Sequence, residues 1–285
     1  MNKSIIKMPK LAIGTAQFGL DYGISNVNGK TSLKEVEKIL NYANKNGIEL
    51  LDTASVYGNS ESVLGSISQR NFFKIVTKVS GDEFASDFNK SLINLNAKKV
   101  YGILIHNAKE LGDDSFAELL KLKSLGKVEK IGVSVYEAKE IEYILENYDI
   151  DLIQLPGNIF DKRLICGGYL NKLKNRNIEI HVRSAFLQGL FFMNPNKLSA
   201  FFNPIKEYLL DFHRILHEHN LSVEEVCLGY LKNIKEIDYI VCGVNNLLQL
   251  KKLIKAFNCN IHNLKFVNNI KITDERFLNP ALWEK

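Results

Sequence analysis

The chain has 285 residues, 46% hydrophobic and 24% charged, values ordinary for a soluble globular protein and enough for a sizeable core. Its 37 Lys and Arg against 32 Asp and Glu give a net charge of +5, spread without a block of one sign, which argues against a nucleic-acid-binding face. No run of about 18 apolar residues offers a membrane span, and Met1 to Pro9 lacks the apolar stretch of a signal peptide, so a cytoplasmic location is expected.

The elements alternate from the start. Lys10 to Thr15 reads as a strand, and a polar, glycine-bearing loop leads to a helix over Ser32 to Asn44, with Ser32 and Glu35 spaced as a capping box. Glu49 to Leu51 is a short apolar strand; Asn59 or Ser60 can cap a helix over Ser60 to Ser68 whose first turn holds Glu61. Strand Phe73 to Thr77 ends on Lys78, a helix covers Phe84 to Leu95, and strand Val100 to Ile105 ends on His106.

The pattern continues through helix Phe116 to Leu125, strand Lys130 to Ser134, helix Ala138 to Glu146, strand Asp151 to Gln154, helix Leu164 to Asn175 and strand Glu179 to Arg183. A longer helical section, Leu198 to Glu218 and Ser222 to Lys232, precedes the last strand, Asp238 to Val241, and a helix over Asn246 to Phe257. Strands separated by helices run parallel, because a parallel crossover needs about a dozen residues. Eight such units without a Gly- or Pro-rich linker predict one α/β domain, a (β/α)8 TIM barrel over residues 1–285, with its core at about 11–257 and a tail at 258–285. A doubly wound sheet would carry Gly-x-Gly-x-x-Gly after its first strand; Gly14-Thr15-Ala16-Gln17-Phe18-Gly19 lacks the middle glycine. The tail either crosses the barrel mouth or wraps the outer helices.

Cys166, Cys227, Cys242 and Cys259 are far apart, and only Cys259 has a histidine, His262, at ligand-like spacing. No metal site is expected, and the thiols read as small buried hydrophobes in a reducing compartment.

Barrel active sites lie at the carboxyl ends of the strands. Asp52 and Tyr57 follow the second strand, Lys78 the third and His106 the fourth, and neighbouring strand ends lie about 5 Å apart, so the four side chains can converge. A phenol is a poor acid at neutral pH, but an ammonium beside it favours phenolate. Lys78 can do this for Tyr57, Asp52 can keep Lys78 charged, and His106 can hold a carbonyl oxygen or relay a proton. The cluster suits a general acid aimed at a carbonyl.

Gly14-Thr15, Asp52-Thr53-Ala54 with Tyr57-Gly58 and Ser60-Glu61, Leu64-Gly65, Thr77-Lys78, Ile105-His106, Ile131-Gly132-Val133-Ser134 and Gln154, in this order, resemble the aldo-keto reductase family over about Leu11 to Phe257. That resemblance implies a barrel that binds a nicotinamide dinucleotide, usually NADPH, without metal, and reduces aldehydes or ketones by hydride transfer. It implies Tyr57 as proton donor, Lys78 and Asp52 tuning it, and His106 orienting the carbonyl. Gly14 and Thr15 fall at the cofactor, Ser134 and Gln154 on the nicotinamide amide. The alternatives on the same fold are a cofactor-binding regulatory subunit and an isomerase or lyase with an internal redox cycle.

The chain departs from the family pattern in three places. Val135 follows Ser134 where the family usually has Asn, so one amide contact is missing or replaced. Arg183, before Ser184, stands where many members stack an aromatic on the nicotinamide; it either pairs with Asp211 or Glu207 or faces the mouth, where it would bind the cofactor pyrophosphate or an anionic substrate group. Beyond the last strand, Gly243, Asn245, Asn246 and Gln249 replace the basic clamp of NADPH-preferring relatives. Helix-start N–H groups near Asn246 remain for phosphate, and Lys251 or Lys252 can compensate. NADPH is expected to be preferred over NADH by a reduced ratio. The substrate is a small carbonyl compound, and Gly19-Leu20-Asp21-Tyr22-Gly23 resembles the loop of members found with cell-surface sugar pathways, which implies a keto sugar or sugar nucleotide.

Overall fold

In a computed structural model that describes residues 8–81, 84–261, 265–270 and 272–283, eight strands close in chain order into a parallel barrel. They are β1 Lys10–Gly14, β2 Leu50–Asp52, β3 Lys74–Val79, β4 Val100–Ile105, β5 Val128–Ser134, β6 Leu152–Pro156, β7 Glu179–Arg183 and β8 Tyr239–Gly243. The barrel closes where β1 pairs with β8 from Lys10 opposite Tyr239 to Gly14 opposite Gly243. His262 lies outside the described residues, as do residues 1–7.

Alternation of side chains along each strand builds two apolar layers. Ala12, Leu50, Val76, Leu104, Leu152 and Val241 pack together inside the barrel. Ile13, Leu51, Ile75, Ile103, Ile131, Ile153, Ile180 and Ile240 join the outer core formed with the helices. Each fully buried aliphatic side chain contributes about 1.5–3 kcal/mol.

Beneath the inner layer the barrel holds a polar girdle. Glu179 accepts from Tyr101 Oη at 2.9 Å, Lys130 Nζ at 2.5 Å and His181 Nε2 at 2.8 Å, while Glu49 accepts from Tyr239 Oη and Lys10 Nζ, both at 2.6 Å.

Several local expectations change in the fold. Ser32 precedes the helix Leu33–Lys45 but makes no side-chain cap: the Glu35 N–H donates to the Ser32 carbonyl at 2.9 Å, and the Glu35 carboxylate turns away to accept from the Leu247 N–H at 2.8 Å, at the start of the last barrel helix, Leu247–Asn258. Asn59 likewise makes no side-chain cap on the helix Ser60–Ser66. Instead, Ser60 donates to the Thr15 carbonyl at 2.8 Å, and the buried Glu61 accepts from Thr77 Oγ1 at 2.6 Å. The helix expected over Leu164 to Asn175 is two, Arg163–Cys166 and Tyr169–Asn175, separated at Gly168, whose φ of 77° lies in the left-handed region. Cys166 ends the first of these and is exposed, and Cys259 is half-buried, so only Cys227 and Cys242 are buried thiols.

A second apolar cluster sits beside the barrel. Phe160, Phe191, Phe202, Phe212 and Val226 pack there with the tail's Val267, Ile270, Ile272, Phe277, Leu278 and Trp283. The tail therefore covers the helical section before β8, and Ala281 reaches the edge of the barrel mouth.

Candidate active site

Two residues beyond the inner apolar layer, the same strands carry Gly14, Asp52, Lys78, His106, Gln154 and Gly243. With Ser134 ending β5, Arg183 ending β7 and His106 just past the end of β4, all eight strand ends contribute to the wall of a single cavity of about 550 Å³ at the carboxyl end. All eight are among the residues the sequence singled out.

At its centre Lys78, fully buried, donates to Asp52 Oδ1 at 2.6 Å and to the Thr53 carbonyl at 3.0 Å. Its Nζ lies 3.4 Å from Tyr57 Oη and 4.9 Å from the Tyr57 ring centre. The other Asp52 oxygen accepts from Gln154 Nε2 at 2.8 Å. His106 meets the Tyr57 ring edge to face, with centroids 5.9 Å apart. The four expected residues form one cluster.

Electrostatics alters the expected tuning. Burial, aided by the Asp52 carboxylate, pushes the Tyr57 phenol above its ordinary value. A lowering by Lys78 was expected, but the ammonium is offset by Asp52 at contact distance, so the phenol faces an ion pair rather than a bare cation. Burial also pulls Lys78 down, opposed by Asp52. Burial and the neighbouring Lys78 charge lower His106 to about 4, so its imidazole is neutral at physiological pH.

Tyr57 is placed by a close meeting of loops. Gly58, with φ 57°, sits against Gly19: a Cβ on Gly58 would lie 2.4 Å from the Gly19 carbonyl oxygen, and one on Gly19 would lie 1.8 Å from that of Tyr57. Thr15 contributes by anchoring. Its N–H and Oγ1 both donate to the Asp52 carbonyl, at 2.9 and 3.1 Å.

Arg183 faces the cavity. Its guanidinium stacks 4.0 Å from the Tyr136 ring centre, and Nη2 donates to the Val135 carbonyl at 3.0 Å. Asp211 pairs instead with Arg214 at 3.0 Å, and among the described residues no carboxylate forms an ion pair with Arg183. Ser184 (φ 64°), Leu187 (φ 47°) and Gln188 (φ 51°) follow in the left-handed region. Non-glycine residues there cost about 1–3 kcal/mol each. They are held by Asn158 Nδ2 on the Ser184 carbonyl at 3.0 Å, and by Ile24 N–H on the Gln188 carbonyl and Gln188 Nε2 on Tyr22 Oη, both at 3.0 Å.

At the β8 end Gly243, Asn245, Gln249 and Lys252 line the cavity. Asn246 does not; its side chain caps the helix by accepting from the Gln249 N–H at 2.9 Å. Gln249 in turn accepts from the Asn245 N–H at 2.7 Å, and Lys251 lies over the Tyr42 ring at 5.4 Å. Gln17 and Tyr22, on the loop after β1, and Tyr136, which the sequence did not mark, also line the cavity. Tyr136 lies two residues past the strand-end Ser134, a position that could have marked it.

Three buried polar atoms of cavity-lining residues have no hydrogen-bond partner among the described residues: Gln154 Oε1, Gln17 Oε1 and Asn245 Nδ2. An acceptor on Gln154 beside the Tyr57 cluster fits the carboxamide N–H of a nicotinamide, and the other two suit the polar remainder of a dinucleotide.

A closed (β/α)8 barrel with a phenol, an imidazole and a buried lysine–aspartate pair around one carboxyl-end cavity is the frame of an oxidoreductase that acts on carbonyl groups. The chain belongs to the aldo-keto reductase family, whose model, described as the aldo/keto reductase family, matches residues 10–272. It is 28% identical over 225 residues to a glyoxal reductase of Bacillus subtilis (strain 168), covering 75% of this chain and 73% of that protein. It is 31% identical over 129 residues to an aldo-keto reductase of Mycolicibacterium vanbaalenii, covering 41% and 46%. Among solved structures it superposes on an aldo-keto reductase from Bacillus halodurans in its holo form, with TM-score 0.73, 19% identity and 98% and 95% of the two chains covered. A glycerol dehydrogenase from Gluconobacter oxydans gives TM-score 0.73 at 21% identity, covering 93% and 95%. A Klebsiella pneumoniae aldo/keto reductase in complex with NADP and acetate gives TM-score 0.69 at 16%, covering 92% and 91%. At these identities the structural likeness is one of fold.

Proposed function

We propose that this protein reduces an aldehyde or ketone with NADPH, with Tyr57 as the proton donor. The observation that carries this reading is the contact chain at the cavity floor, Asp52 to Lys78 at 2.6 Å and Lys78 to Tyr57 at 3.4 Å. A bound reduced nicotinamide supplies the hydride. Tyr57, kept protonated by burial, gives its proton to the carbonyl oxygen as negative charge develops there, and the Lys78 ammonium stabilises the phenolate left behind. His106, neutral, holds the carbonyl oxygen by an N–H donor rather than acting as an acid. Gln154, fixed through its Nε2 on Asp52, offers Oε1 to the nicotinamide amide, with Ser134 beside it on the paired strand.

The cofactor's phosphates would be held by the N–H groups at the start of Leu247–Asn258 and by Lys252. The Klebsiella structure named with NADP supports the choice of cofactor, and the keto-sugar assignment rests on the likeness of the loop at Gly19 to Gly23. Loss of NADPH absorbance against a panel of aldehydes and keto sugars tests the proposal. Steady oxidation matched by alcohol product is the expected result. Tight NADPH binding with no turnover of any carbonyl would replace it with a cofactor-sensing role.

A further inference from the structure

The cavity floor has an unbalanced charge. Asp52 and Lys78 neutralise each other at 2.6 Å, and His106 carries no charge at working pH. Of the other charged residues lining the cavity, Glu224 and Lys252 cancel in the sum and Arg183 is left over, without a carboxylate partner among the described residues. A guanidinium has five N–H donors, and here one is placed on the Val135 carbonyl at 3.0 Å and another reaches Ser184 Oγ at a long 3.4 Å. The group is half-buried, stacked on Tyr136 and fixed in orientation, so it binds a planar anion without first being ordered.

Its direction separates two anions that it could meet. Arg183 ends β7 but leans over the end of β6 to Val135 and Tyr136, which follow β5. It thus turns away from β8, where Gly243, Asn245 and Lys252 line the cavity. Its charge reaches Tyr57, Lys78 and His106, the groups around the reacting carbonyl. Tyr22, with its hydroxyl held by Gln188 at 3.0 Å, adds a second phenol to this side of the cavity.

We infer that Arg183 binds an anionic group on the substrate, so that the carbonyl compound reduced here carries a carboxylate or phosphate. This rests on the reductase reading above. Tyr136 and the Val135 carbonyl position the guanidinium, and the net positive charge of the floor favours anionic over neutral carbonyls that are otherwise alike.

The test compares para-carboxybenzaldehyde with its methyl ester, which differ chiefly in charge, as substrates with NADPH. In the unmodified protein kcat/KM is expected to be higher for the acid. The acid-to-ester ratio should fall about tenfold in Arg183→Met and by less in Arg183→Lys, which keeps the charge but loses the fork. Equal falls for both substrates, an NADPH affinity weakened as much as the acid's kcat/KM, or a lowered melting temperature with an unmoved ratio would overturn the assignment. Benzoate binding, measured by calorimetry with saturating NADP, separates this inference from the reductase reading. Benzoate bound about tenfold more weakly by Arg183→Met supports the anion site even if no carbonyl is turned over. Equal benzoate affinity in the two proteins overturns it.

Discussion

Gly19 and Gly58 meet backbone to backbone, with no room for a Cβ on either: the two would fall 1.8 Å from the Tyr57 carbonyl and 2.4 Å from the Gly19 carbonyl. This contact locks the loop after β1 onto the loop after β2 and so sets the height of Tyr57 above the barrel. Gly19→Ala should push the loops apart and displace the Tyr57 hydroxyl from Lys78. Misplacement by about 1 Å can cost about 100-fold in rate. The expected result is a kcat lowered by roughly that factor, and a variant of unchanged kcat would show that the contact does not position Tyr57.

Tyr57→Phe removes the hydroxyl and keeps the ring against His106. General acid catalysis contributes roughly 10² to 10⁴-fold, so kcat should fall by that range while the NADPH dissociation constant stays within about twofold. Stopped-flow reduction with a fixed aldehyde measures the first and a fluorescence titration the second. Full activity in Tyr57→Phe would remove Tyr57 from the chemistry.

Lys78→Met leaves Asp52 buried with only Gln154 as its side-chain donor. Breaking one side of a buried ion pair costs about 3–5 kcal/mol, so the urea midpoint should drop markedly. Any remaining reduction should also titrate at a higher pH, because the phenolate loses its ammonium. An unmoved midpoint would mean that the pair contributes little to the fold.

His106 gives a pH effect of definite sign. Its folded-state value of about 4 lies below the ordinary 6.5, so between these pH values the unfolded chain takes up a proton that the folded chain refuses. Stability from this group is complete above pH 6.5, falls as the pH drops toward 4, and then levels off. In His106→Gln the difference in unfolding free energy between pH 7 and pH 5 should therefore shrink. An unchanged difference would show that His106 is not held neutral.

Lys252 lines the β8 end of the cavity whereas Lys251 covers Tyr42. A charge-assisted contact to a cofactor phosphate contributes about 1.5–3 kcal/mol. Lys252→Ala should narrow the NADPH-to-NADH ratio of kcat/KM by about tenfold or more, and Lys251→Ala should leave it alone. The reverse pattern would move the phosphate contact to Lys251.

The barrel was legible because its cause is local and periodic. Eight apolar segments, each followed by a helical pattern, required parallel strands, and β4 and β7 fall at the expected residues. Strand-end positions were equally legible, since Asp52, Lys78 and His106 each close an apolar strand segment and barrel strand ends lie side by side. Where a side chain had two partners to choose from, the sequence misled. Ser32 and Glu35 have capping-box spacing, yet the Leu247 N–H, 212 positions away, takes the carboxylate.

The strand count and the convergence of Asp52, Tyr57, Lys78 and His106 were readable in the chain because they follow from periodicity and strand-end position within short windows, whereas Gly14, Ser134 and Gln154 were marked by the family resemblance and Arg183 and Gly243 by departures from it. What each group faces is set by contacts across the barrel. The Tyr57 phenol is raised rather than lowered because burial and Asp52 outweigh the lowering by Arg183. Arg183 is without a carboxylate because Asp211 lies beside Arg214, and Asn246 caps a helix instead of lining the cavity. Charge balance and desolvation depend on distances across the barrel, and those are fixed only when the eight strands close.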